Sequence, residues 1–102
     1  MRAMILEIAT FTIIEGQEAA FEIAIEEAFP IIASVEGYLS HKLERSIENP
    51  NKYLLFVWWV SVEAHMVTFR QSESYRQWRD RLQEYFENPP FAEHFNRVNE
   101  SK

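Results

Sequence analysis

The sequence predicts a single α+β domain of element order β-α-β-β-α-β, with the second helix broken in two. Three observations predict it. Four short stretches rich in β-branched and aromatic residues alternate in polarity, while two longer stretches repeat at the helical period. Gly16, Gly37 and the run Glu48-Asn49-Pro50-Asn51 fall between those stretches, where the chain must turn. A length of 102 residues suits one domain, here residues 1–99 with a frayed tail at 100–102.

Residues 3–14, AMILEIATFTII, form the first strand, and Glu15-Gly16 breaks it. From Gln17 to about Val35 the period is helical. Phe21, Ile25, Ala28 and Ile32 share one stripe, and Glu18, Glu22, Glu26 and Glu27 lie mostly off it. Pro30 is expected to kink or end this helix near Phe29, because proline lacks an N–H and crowds the preceding turn. Residues 38–47, YLSHKLERSI, place Leu39, His41, Leu43, Arg45 and Ile47 on one face of a second strand. The turn at 48–51 returns the chain as an antiparallel third strand, 52–60. Within it, Trp58 and Trp59 point to opposite faces. Ser61 is placed to cap a helix over 62–70, whose apolar side carries Val62, His65, Met66 and Phe69. Ser72 caps the next helical piece, where Tyr75, Trp78, Leu82, Tyr85 and Phe86 make one stripe. Asn88-Pro89-Pro90 ends it, and residues 91–98 form a last strand.

This order is the ferredoxin-like split βαβ unit, with both helices on one face of four antiparallel strands. The helices cover one of the two tryptophans. The other lies on the bare face, with either Leu6, Ile8 and Thr10 or Glu7, Ala9 and Phe11 of the first strand beside it. One large aromatic buries roughly 150–250 Å², and soluble monomers expose apolar patches of only a few hundred Å². A second copy packed sheet to sheet is the simplest cover, so a homodimer is expected.

Composition narrows the partners. With 16 acidic and 10 basic residues the formal charge is −6. That disfavours nucleic acid, whose phosphates need clustered Lys and Arg, and an anionic membrane surface. Cysteine is absent, which excludes thiolate metal sites and a cysteine nucleophile. No apolar run approaches the roughly 20 residues of a membrane span. The N-terminus reads as a strand interrupted by Glu7 and not as a signal peptide, so a cytoplasmic protein is expected.

The chain resembles the antibiotic biosynthesis monooxygenase domain family of dimeric α+β barrels. The resemblance is carried by the Gly16 turn before an acidic helix with Phe21, by Gly37-Tyr38-Leu39-Ser40, and by Leu43-Glu44-Arg45-Ser46. It continues through Trp59-Val60-Ser61-Val62-Glu63-Ala64-His65, the block from Phe69 to Arg79, and Pro89-Pro90 before Glu93-His94. It implies a dimeric barrel with a pocket in each subunit between sheet and helices, and a cofactor-free oxygenation of an aromatic, quinol or polyketide-like molecule. Haem-degrading relatives use an Asn, a Trp and a His at positions that here fall at Ala9, near Thr68 and near Trp78, so that activity is the less favoured alternative. A non-catalytic module holding a small apolar ligand is the other alternative.

Cofactor-free oxygenation asks a protein for a dry aromatic cavity, a proton acceptor and donors for a developing oxyanion. His65 is the first candidate acceptor, since it lies on the apolar side of its helix and imidazole suits proton transfer near neutrality. A buried His satisfied by a backbone carbonyl is the competing reading. Glu7 is the second: an acid among Leu6, Ile8 and Ala9 needs a partner or a raised pKa. It shares a face with Ala9, so a Glu7–His65 acid–base couple is expected to compete with a Glu7 ion pair at a seam or rim. Ala9, Trp59, Phe69, Tyr75, Trp78 and His94 are the candidate pocket residues. His41 reads as structural. Arg70, Arg76, Arg79 and Arg81 read mainly as surface partners of Glu73, Asp80 and Glu84, with an Arg reaching over the pocket to clamp a carboxylate or quinone oxygen as the alternative. Three histidines on three elements show no metal-ligand spacing, so no metal is expected, and the family resemblance implies no cofactor.

Overall fold

The computed structural model describes residues 4–101. Expected first-strand residue Ala3 and tail residue Lys102 lie outside the described residues. The elements are β1 (Ile5–Thr12), α1 (Glu18–Ala33), β2 (Tyr38–Arg45), β3 (Lys52–Trp59), a π-helical segment (Ala64–Phe69), α2 (Glu73–Leu82), a 3₁₀ turn (Gln83–Tyr85) and β4 (Phe91–Phe95). The four strands form one antiparallel sheet in the order β2-β3-β1-β4, the ferredoxin-like α+β arrangement.

Alternation along the two central strands decides which face the helices cover. Glu7, Ala9 and Phe11 on β1 and Tyr53, Leu55, Val57 and Trp59 on β3 are all buried. They meet Phe21, Ile25, Ala28 and Ile32 of α1 and Trp78 and Leu82 of α2. Phe21 is the hub of one end, with its ring edge-on to Phe11 and Tyr53 at 5.8 and 4.9 Å. Of the two alternatives left by the sequence, Leu6, Ile8 and Thr10 therefore occupy the bare face. They lie opposite Trp58, Phe56 and Leu54, with Phe91 and Phe95 added by β4.

Several expected boundaries are corrected. Helix α1 does not end near Phe29 but continues through Pro30 to Ala33. Proline gives up only its own N–H, while buried Ala28 and Ile32 hold the last turn on the sheet. The Ser34 side chain adds a 2.7 Å bond to the Ile31 carbonyl. The second strand ends at Arg45, and Ile47 is exposed. A register shift between Tyr38 and Ser40 sets Tyr38, not Leu39, opposite Trp59. Strict alternation cannot anticipate such an inserted residue. The second helical stripe also stops early: Gln83–Tyr85 tighten to 3₁₀ and Phe86 bridges to Ile13. The last strand ends at Phe95, three residues short of the expected 98. Among the described residues no helix is long and apolar enough to cross a membrane.

Candidate functional site

The joint between β3 and the second helix builds the site. Gly37, at φ +97°, lets the β2 start pass close to Val60 and Ala64, and its carbonyl accepts the Val60 N–H at 2.8 Å. Ser61 then caps the turn by accepting the Ala64 N–H at 3.1 Å. The next turn is wider than an α-turn, with the Arg70 N–H donating to the His65 carbonyl at 2.9 Å. This corrects the expected α-helix over 62–70 and its apolar face. His65 and Phe69 are buried against Trp59, at ring separations of 5.3 and 5.8 Å, while Val62 is exposed and Met66, also exposed, lies at the cavity.

A cavity of about 770 Å³ lies between the covered face of the sheet, the π-helical segment, α2 and the stretch leading into β4. Its apolar wall includes Ala9, Phe11, Leu55, Phe69 and Trp78. Glu7, His65 and His94 stand together on one side. Glu7 and His94 are register partners on β1 and β4, and His65 reaches over both. Trp59 Nε1 donates to Glu7 Oε1 at 2.9 Å, and the other carboxyl oxygen is 3.4 Å from His65 Nε2. His65 Nδ1 is 2.8 Å from His94 Nε2. The four side chains thus form a continuous line from the core to the cavity.

Burial tunes this line. Glu7, only 5% exposed, has its pKa raised to about 7 by desolvation, against the opposing effects of the Trp59 hydrogen bond and the Arg70 charge. His65, 3% exposed, is lowered to about 4, first by desolvation and then by His94 and Arg70. Near neutral pH, His65 is therefore uncharged and Glu7 is divided between its two forms. The 3.4 Å contact is a loose acid–imidazole contact and not a fixed ion pair. Chemically, the arrangement can accept and store one proton.

The structure brings Glu7 and His65 together as a pair and sets Ala9, Phe69, Tyr75, Trp78 and His94 on the cavity wall. Trp59 is not part of that wall. It lies behind it, fully buried, and reaches the site through its bond to Glu7 and through its ring against His65 and Phe69. His41 lies elsewhere, stacked on Phe29 at 3.9 Å and in contact with the Tyr38 hydroxyl at 2.5 Å. Sequence reasoning underrated the arginines. Arg76 pairs with Glu73 at 3.1 Å and Arg79 with Asp80 at 3.6 Å, as surface residues should, but Arg79 also lines the cavity, together with Arg70. Arg70 lies over the Tyr75 ring at 4.8 Å, close enough to act on both Glu7 and His65. Its one sequence signal is its position at the break between the two helical pieces. Among the described residues no group of three side chains is placed to hold a metal ion.

The sequence profile described as antibiotic biosynthesis monooxygenase matches residues 4–81. A crystal structure from Bordetella bronchiseptica, named as a candidate antibiotic biosynthesis monooxygenase, is 40% identical and superposes with a TM-score of 0.92, covering 95% of this chain and 99% of that one. The uncharacterized protein YczJ of Bacillus subtilis is 40% identical over 95 residues, 93% of this chain and all of its own. A variant of SnoaB, a cofactor-independent oxygenase of Streptomyces nogalater, shares the fold at a TM-score of 0.80 with 18% identity, covering 96% of both chains.

Proposed function

The chain belongs to the antibiotic biosynthesis monooxygenase family, and on that premise we propose that it oxygenates an aromatic, quinol or polyketide-like small molecule without flavin or metal. One observation carries this reading: a carboxyl and an imidazole, both deeply buried, face a cavity whose remaining wall is largely aromatic and aliphatic. SnoaB supports the cofactor-free part, as a cofactor-independent oxygenase on the same fold.

The chemistry requires little else. Loss of a proton from a phenolic or enolic hydroxyl makes the ring an electron donor to O₂. A C–O bond then forms, and expulsion of water leaves a carbonyl, so that a ring CH₂ and O₂ give C=O and H₂O with every electron drawn from the substrate. Glu7 and His65 supply the proton acceptor. Arg70 places positive charge where the substrate anion develops. The reading includes a homodimer, because the bare sheet face presents Leu6, Ile8, Phe56, Trp58, Phe91 and Phe95 together.

A second reading, a module that holds an apolar ligand without turnover, is favoured by the apolar side of the cavity wall. Oxygen consumption with a panel of quinols separates the two. The oxygenase reading expects uptake above autoxidation that falls sharply in His65→Ala. Uptake at the autoxidation rate with every quinol, alongside a ligand that copurifies in the cavity, would establish the binding module instead.

A further inference from the structure

We propose that His94 is the group that takes the substrate proton, and that Glu7 receives it through His65, so that the three side chains act as a one-proton relay. The proposal deepens the oxygenase reading and rests on it for the identity of the proton donor, while the relay itself has a test that needs no turnover.

Geometry assigns the order. Both ring nitrogens of His65 are engaged, Nε2 toward Glu7 and Nδ1 toward His94, so His65 has no nitrogen left for a substrate. His94 uses Nε2 on His65, is half-buried and lines the cavity, which leaves Nδ1 as the nitrogen outside the line. A 2.8 Å contact between two neutral imidazoles requires that one nitrogen donate and the other accept. The tautomers of the two rings are therefore tied to each other, and through Nε2 to the carboxyl.

The proton count closes. With Glu7 ionised, the His65 proton sits on Nε2, 3.4 Å from the carboxylate, and Nδ1 accepts from His94 Nε2, leaving His94 Nδ1 free to accept. A substrate hydroxyl gives its proton to that Nδ1. His94 Nε2–H passes to His65 Nδ1, and His65 Nε2–H passes to Glu7. Afterwards the carboxyl is neutral, both rings are neutral in the opposite tautomer, and the negative charge has moved from the buried carboxylate to the substrate. No imidazolium is left at either end of the transfer, which matters because His65 is deeply buried and faces the Arg70 charge. Around the line, β3 contributes Trp59, the end of the π-helical segment Arg70, α2 Tyr75 and Arg79, and the stretch before β4 Glu87, while α1 presents only Ile32.

The test is ¹⁵N NMR of the histidine rings, followed from about pH 5 to about pH 9, where imidazoles ordinarily titrate. The expected result is a joint exchange of tautomer by His65 and His94 at the midpoint of the Glu7 carboxyl, near 7, absent in Glu7→Gln. A His65 ring that keeps one tautomer throughout, or two rings that change at separate pH values, overturns the relay. In oxygen uptake, His94→Asn should lower kcat by about 100-fold with quinol binding retained, and His94→Gln serves if the Asn variant does not fold. Undiminished uptake in a folded His94 variant overturns its place as acceptor. Wild-type protein that consumes no oxygen with any quinol sinks the oxygenase reading, and the relay is then decided by the tautomers.

Discussion

The indole N–H of Trp59 donates a 2.9 Å hydrogen bond to Oε1 of Glu7, joining a fully buried ring on β3 to a carboxyl two residues away on the β1 diagonal. Burial alone would keep Glu7 protonated. The indole bond and the Arg70 charge both stabilise the carboxylate against that burial, which brings both forms within reach near neutrality. Trp59→Phe preserves an aromatic ring against His65 but removes that donor. The Glu7 midpoint should then rise above its value of about 7, as read by ¹³C NMR of the carboxyl. Stability should fall by about 1–3 kcal/mol from the lost buried bond. A midpoint that stays put would show that the bond has no hold on the carboxyl.

Glu7 and His65 tilt stability with pH in opposite senses. The folded Glu7 value, about 7, lies above its ordinary 4.5, so the folded chain holds a proton that the unfolded chain has lost, and stability falls as pH rises through that window. The folded His65 value, about 4, lies below its ordinary 6.5, so stability falls as pH drops between them. Where the windows overlap the two slopes oppose each other. Glu7→Gln should therefore gain about 3 kcal/mol on the wild type as pH rises through the Glu7 window. His65→Gln should gain about 2–3 kcal/mol as pH falls through its own window. Urea denaturation across pH reads both, and variant curves parallel to wild type would refute the assignment.

Two glycines with nearly equal φ separate backbone strain from close packing. Gly16 has φ +95° and nothing within 4 Å of a built Cβ, whereas at Gly37 a Cβ would lie 2.5 Å from Ala64 Cβ and 3.2 Å from Val60 Cγ2. Gly16→Ala should cost about 1–2 kcal/mol, the penalty of the left-handed region alone. Gly37→Ala adds overpacking and should cost about 2–5 kcal/mol in all. It should also disturb the His65–His94 contact, since Ala64 precedes His65. Equal losses of stability in thermal or urea unfolding would mean that the close approach is unimportant.

These positions also show what the sequence could and could not carry. Element order followed from periodicity, and Glu7 stood out because an acid interrupted an apolar strand. The spacing of Val62, His65, Met66 and Phe69 fits an α-helix as well as any, so the π turn was invisible. It forms where His65 and Phe69 are both drawn onto Trp59, a tertiary demand that no local pattern encodes. The face taken by Tyr38 depends on one inserted residue in β2. Arg70 looked mainly like a surface charge because it clusters in sequence with Arg76, Arg79 and Arg81 around acidic partners, and only the folded chain shows it lying over Tyr75 beside the cavity.

The bare sheet face gives the last prediction. Trp58 and Phe56 stack at 6.3 Å on that face, and Phe91 of β4 is 62% exposed. A stable interface buries about 800 Å² per partner, and an apolar β-layer is better covered by an identical layer than left in water. Wild-type protein should sediment at about 24 kDa, twice the 12.2 kDa of one chain. Trp58→Glu sets a charge opposite Leu6 in that layer, where burying it against a second copy costs more than the exposed Lys42 over the Phe56 ring returns. It should sediment as a single chain. Glu7, His65 and His94 face the other way, so their tautomer exchange should persist in the monomer. A wild-type particle of one chain at micromolar concentration, or a Trp58→Glu variant of unchanged mass, would remove the dimer from this reading and leave the bare face to some other cover.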